Sequence, residues 1–73
     1  MEIKKEKSHN LYYINDALEF IIQNKLDWKE ISSYFEENLN AYISYFAYFR
    51  THKEAEFAMN YLEGLIIMDK LLK

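Results

Sequence analysis

The chain has 73 residues and a formal net charge of −3, with 51% apolar and 18% aromatic residues. That composition is too apolar for a disordered chain, the acidic balance does not offer the basic face of a general nucleic-acid binder, and the absence of cysteine excludes disulfides and thiolate metal sites. A chain this short buries only about 60% of its unfolded surface, and domains of this size often rely on a second chain for stability.

Residues 1–8 read as a charged, solvated tail in which Lys4, Lys5 and Lys7 are diluted by Glu2 and Glu6. No apolar run follows these lysines, so no signal peptide is expected. No stretch approaches the ~18 to 20 apolar residues of a spanning helix, and a cytoplasmic home is the expectation. Ile, Lys, Asn, Tyr and Phe are abundant; their codons are AT-rich, which points to a low-GC bacterium or a phage of one.

With no proline and a single glycine, Gly64, no internal turn is marked by the usual breakers. Boundaries must be read from caps and from changes of hydrophobic phase. The first predicted helix covers 10–24. Ser8 or Asn10 supplies its N-cap oxygen, and Asn24-Lys25-Leu26 stops it, with Asn24 suited to the left-handed C-cap conformation. Leu11, Ile14, Leu18, Ile21 and Ile22 form one apolar row, widened by Tyr13, Ala17 and Phe20. Asn15, Asp16, Glu19 and Gln23 form the wet side.

The second predicted helix covers 27–50 and opens on Asp27-Trp28-Lys29-Glu30, which has the spacing of a capping box. Trp28, Ile31, Phe35, Leu39, Tyr42, Phe46 and Phe49 follow in steps of three and four, as one buried stripe of a helix would. Asn38-Leu39-Asn40 is where this helix would bend or break, but one continuous helix is the expectation. Its flank carries an aromatic shoulder of Tyr34, Ala41, Tyr45 and Tyr48.

The third predicted helix covers 51–72 and opens on Thr51-His52-Lys53-Glu54, a full capping box. Ala55, Met59, Leu62 and Ile66 make one apolar row, and Phe57, Tyr61, Met68 and Leu72 make another. Gly64 inside it costs about 1 kcal/mol relative to Ala. The apolar arc spans roughly 200°, about twice what a surface helix needs.

These elements predict an all-α single domain: a small up-down-up three-helix bundle whose short connections make consecutive helices antiparallel neighbours. In a lone bundle, arcs this wide would leave large apolar patches in water. The bundle is therefore expected to be completed by dimerisation, with a two-fold homodimer as the first guess.

No catalytic, cofactor-binding or metal-binding residue is predicted. His9 and His52 belong to different segments, and His52 with Glu56 offers two ligands where a zinc site needs three or four. The neighbouring carboxylates Glu36 and Glu37 point about 100° apart on a helix and stay solvated. Serines 8, 32, 33 and 44 lack a nucleophile elbow, and a single glycine cannot build a phosphate loop. Asp69 alone falls inside an apolar arc; fraying of the helix C-terminus is the first explanation, and the alternative is a pair with Lys25 or Arg50 across an interface.

The leading functional expectation is a non-enzymatic protein–protein interaction module, a regulator or inhibitor of another protein, encoded by a phage or mobile element. The predicted interface residues are Tyr34, Tyr45 and Tyr48 on the shoulder, read first as the dimer seam and second as a separate partner site, with Phe57 and Tyr61 as a second patch. Tyrosine offers amphipathic contact area at low entropic cost. The alternative is an immunity-type or membrane-surface protein that uses the aromatic face at a lipid interface, although such helices usually carry Lys and Arg on the polar face. A nucleic-acid binder ranks third and would have to gather Lys25, Lys29, Arg50 and Lys53 around the connections.

Overall fold

The computed structural model describes residues 1–43 and 47–72, with the side chains of 42–43 and 69–72 outside the description. The chain does not form the all-α bundle that its periodicity predicts. It is an α+β fold in which a four-stranded antiparallel sheet, in the order β1-β2-β4-β3, packs one face against three helices.

The predicted tail is strand β1, Glu2–Glu6. A four-residue turn returns the chain to β2, Leu11–Asn15, in a register that sets Ile3 opposite Ile14 and Lys4 opposite Tyr13. The first half of the predicted helix 10–24 is thus a strand. Its Leu-Tyr-Tyr-Ile core suits a pleated surface, and alternation sends Ile14 inward, where it is buried. The helix begins only after Asp16, whose φ of 64° turns the strand into α1, Ala17–Gln23. Leu18 and Ile22, which an all-helical row would bury, are exposed; Ile22 reaches 67%.

The end of α1 falls where the sequence places it, but Lys25 rather than Asn24 takes the left-handed conformation, at φ 55°. The Lys25 amide donates to the Ile22 carbonyl and the Leu26 amide to the Ile21 carbonyl, which is the paired bonding of a Schellman stop.

Helix α2, Trp28–Asn38, is capped by Asp27, whose carboxylate accepts from the Lys29 and Glu30 amides. It ends at the Asn38-Leu39-Asn40 break. The Asn38 side chain donates to the Tyr34 carbonyl, and Asn40 takes a φ of 50°. The continuous helix expected over 27–50 is therefore replaced by a helix and a hairpin: β3, Tyr42–Ile43, and β4, Ala47–Phe49. β4 lies between β3 and β2, pairing Tyr48 with Tyr42 on one side and with Tyr13 on the other. In β4, Ala47 and Phe49 are buried while Tyr48 between them is half-buried. That is the period-two pattern of a strand with one covered face.

Helix α3, His52–Leu72, occupies the third predicted segment. The Thr51 hydroxyl accepts from the Glu54 amide at 3.1 Å and donates to the Glu54 carboxylate at 3.2 Å.

The core lies between sheet and helices. Ile14, Ala47 and Phe49 meet Ile21 of α1, Ile31 and Phe35 of α2, and Ala55, Ala58 and Leu62 of α3. The small residues Ala55 and Ala58 let α3 approach the sheet closely. The apolar arcs that looked too wide for a three-helix monomer are divided differently here. Tyr42 and Phe49 of the stripe predicted on the second helix lie on strands, and α3 spends Ala55, Ala58 and Leu62 on the sheet. Among the described residues no polar or charged side chain is buried.

Candidate interaction surface

The two layers separate the predicted interface residues. Tyr34 on α2 and Tyr61 on α3, assigned by sequence to two different patches, meet directly. Their rings are stacked at 4.0 Å between centroids and 4° from coplanar. Phe35 lies beneath the pair, edge-on to both rings at 6.3 and 6.1 Å, and edge-on to Phe49 of the sheet at 5.4 Å. The stack is therefore the surface end of an aromatic column that reaches into the core. Aromatic pairs of this kind contribute about 0.5–1.5 kcal/mol beyond area burial.

Tyr61 sits in the seam between the helices. Its hydroxyl is held above the ordinary tyrosine range, first by burial and then by the negative charge of Glu30 and by Tyr34. Tyr34 is 36% exposed and Phe57, one turn before Tyr61, is 54% exposed. Positions 57, 61, 64 and 68 advance along α3 in steps of four, three and four, so Phe57, Tyr61, Gly64 and Met68 share one flank of the helix. Met68 is 60% exposed, and a Cβ added at Gly64 would meet nothing within 4 Å. Beside Tyr34 on α2, Glu30 and Glu37 stand one turn to either side, and Glu37 is exposed. The result is an apolar, aromatic strip along the α2–α3 seam with an acidic border.

Tyr48 is not part of that strip. It lies on β4, on the sheet face opposite the core, where its ring is 5.8 Å from that of Tyr13. The shoulder of Tyr34, Tyr45 and Tyr48 required a helix through 27–50 that the chain does not form. Tyr45 and Phe46 lie outside the described residues, as does the side chain of Asp69. The register aligns Lys4, Tyr13, Tyr48 and Tyr42 across the four strands. Tyr13, read from sequence as the edge of a helical core, is the residue of that row that periodicity missed; its neighbour Tyr12 and the following Ile14 carried the strand signal.

The ionisable groups singled out in the sequence are engaged locally. His52 pairs with Glu56 at 2.7 Å and stands edge-on to the Tyr12 ring at 5.6 Å. His9 and Ser8 both bond to the Glu6 carboxylate within the β1–β2 turn, in an exposed setting with no cleft. Among the described residues no three His, Asp or Glu side chains stand close enough to hold a metal ion, and no helix is long and apolar enough to cross a membrane. No protein family matches this chain, and no curated protein or solved structure matches it either.

Proposed function

We propose that this chain is a small protein–protein interaction module, a non-catalytic regulator or inhibitor, that docks its partner along the α2–α3 seam through Tyr34, Phe57, Tyr61 and Met68. The observation that supports this reading is the Tyr34–Tyr61 stack. It is a rigid aromatic platform tied to the core through Phe35 and flanked by Phe57 and Met68, which are largely exposed. Interface energy concentrates in a few such preorganised anchors. Glu30 and Glu37 give the strip an acidic border, so a fitting partner presents apolar side chains inside a basic rim.

The reading is tested by capturing partners from a bacterial lysate with four folded baits: the wild type, Phe57→Asp, Met68→Asp and the outer-face variant Tyr48→Ala. The supporting result is a partner held by the wild type and by Tyr48→Ala but lost with both α3 variants. A partner retained by Phe57→Asp and Met68→Asp overturns the assignment.

A further inference from the structure

We propose that two copies of this chain pair edge to edge through β1, antiparallel, with Ile3 on the two-fold axis, so that two four-stranded sheets become one. This goes beyond the proposed function and uses a different surface. Among the described residues β1 stands at the end of the sheet and is paired along one side, with β2. Its other side presents a row of backbone donors and acceptors, the usual template for strand addition. At the opposite edge of the sheet the described residues of β3 are Tyr42 and Ile43.

The charges on β1 select a register. Glu2 and Lys4 share the outer face and approach each other at 3.6 Å. Ile3 and Lys5 share the core-side face: Ile3 lies opposite buried Ile14, and the Lys5 ammonium lies 5.8 Å from the Tyr12 ring centre. A two-fold axis perpendicular to the sheet keeps each face on its own side, so it can pair only residues of the same face. Centred on Ile3, the axis sets Glu2 opposite the partner's Lys4 and Lys4 opposite the partner's Glu2. Ile3 then meets the partner's Ile3, and Met1 meets the partner's Lys5.

Met1 borders a shallow depression that is also lined by Asp16 and Glu19, so the partner's Lys5 arrives beside two carboxylates. The two outer-face charges that this register pairs, Glu2 and Lys4, each meet an opposite sign. One residue along, centred on Lys4, the axis would oppose Lys4 to the partner's Lys4 and Glu2 to the partner's Glu6. Centred on Glu2, it would oppose two glutamates on the axis. Charged edges usually prevent pairing; here they reject the neighbouring registers and leave one.

The test is sedimentation equilibrium of the full chain and three variants, Glu2→Lys, Lys4→Glu and the double swap, each checked for folding by circular dichroism. Symmetry makes each single change act twice, turning two attractive pairs into two like-charge pairs. The expected loss of dimer affinity is about tenfold or more, and the double swap should recover the wild-type constant within about threefold. Should a single variant fail to fold, the double swap and the salt dependence decide. The swapped chain must dimerise like the wild type, and both must weaken as salt screens the pairs.

A wild type that stays monomeric up to about millimolar concentration overturns the proposal. So does a dimer that the single changes leave unaltered or that the double swap does not restore. Phe57→Asp must leave the dimer constant unchanged, which keeps failure of this pairing distinct from failure of the α2–α3 docking strip.

Discussion

Phe35 and Tyr34 are neighbours on one helix, and replacing each with alanine separates core from surface in a single comparison. The Phe35 side chain is fully buried and contacts three rings, at 5.4 Å from Phe49, 6.1 Å from Tyr61 and 6.3 Å from Tyr34. Phe35→Ala removes that packing and leaves a cavity bounded by sheet and helix, at a cost of about 3 to 5 kcal/mol. A domain of this length has a total stability of about 4 to 11 kcal/mol, so the variant should sit at or near the edge of unfolding. Tyr34→Ala loses the stack on Tyr61, about 0.5–1.5 kcal/mol, together with a modest part of the burial of a ring that is one-third exposed. Both changes place alanine at adjacent positions of α2, and their gains in helix propensity are similar and small, so the difference reports burial. Urea unfolding followed by far-ultraviolet circular dichroism, at one low protein concentration so that association does not contribute, measures both. A Phe35→Ala cost equal to or below that of Tyr34→Ala would refute the placement of the column and of the core beneath it.

The sequence signals that were legible are the ones written in local chemistry. Asp27 and Thr51 start helices where their spacing places them, because a cap needs only its own side chain and the next amides. The hydrophobic identities of Ile14, Ile21, Ile31, Phe35, Leu39, Phe49, Ala55 and Leu62 as inward-facing residues were also legible, and all are buried. What they face was not. Spacings of three and four run through Leu11–Ile22 and Trp28–Phe49, yet Ile14 and Phe49 reach the core from strands. Two of the turns that interrupt these rows carry neither glycine nor proline; they use Asp16 and Asn40 at positive φ. Asn and Asp tolerate that conformation better than other side chains with a Cβ, so turns were present without their usual markers. β1 was hidden for a different reason. An edge strand is commonly charged, and only Ile3 of Glu2–Glu6 packs against the core, which makes its composition that of a tail. The same error divided the candidate surface. Tyr34 and Tyr61 were found one at a time, but their stacking depends on how α2 and α3 lie on the sheet. Tyr48 was carried to the far face by a strand alternation that a helical reading excludes.

Three further outcomes follow from individual side chains. Thr51→Ala should cost about 1 kcal/mol, read as a lower urea midpoint with an unchanged slope, because it removes the oxygen that accepts from the Glu54 amide. Gly64→Ala should raise stability by about 1 kcal/mol, since the added methyl meets open space; a destabilised variant would mean that the flank at Gly64 is filled. The last concerns the β1–β2 turn, where the Glu6 carboxylate accepts from the Ser8 amide at 3.0 Å, the His9 amide at 3.0 Å and His9 Nδ1 at 2.7 Å, and also from the Ser8 hydroxyl. These bonds, the Ser8 hydroxyl first, hold its pKa at about 2, against an ordinary value of 4.5. A carboxylate whose folded pKa is depressed binds its proton more readily when unfolded. Its contribution is therefore complete above the ordinary value and is lost as pH falls toward the folded value. Urea midpoints of the wild type should fall as pH drops from about 4.5 toward 2, and Glu6→Gln should remove part of that slope while leaving the other carboxylates to titrate. Ser8→Ala should remove a smaller part, because the backbone and His9 bonds persist. If the wild type and Glu6→Gln lose stability in parallel through this window, the turn carboxylate contributes nothing to closing the hairpin, and the registration of β1 on β2 rests on the cross-strand pairs, Ile3 with Ile14 and Lys5 with Tyr12 among them.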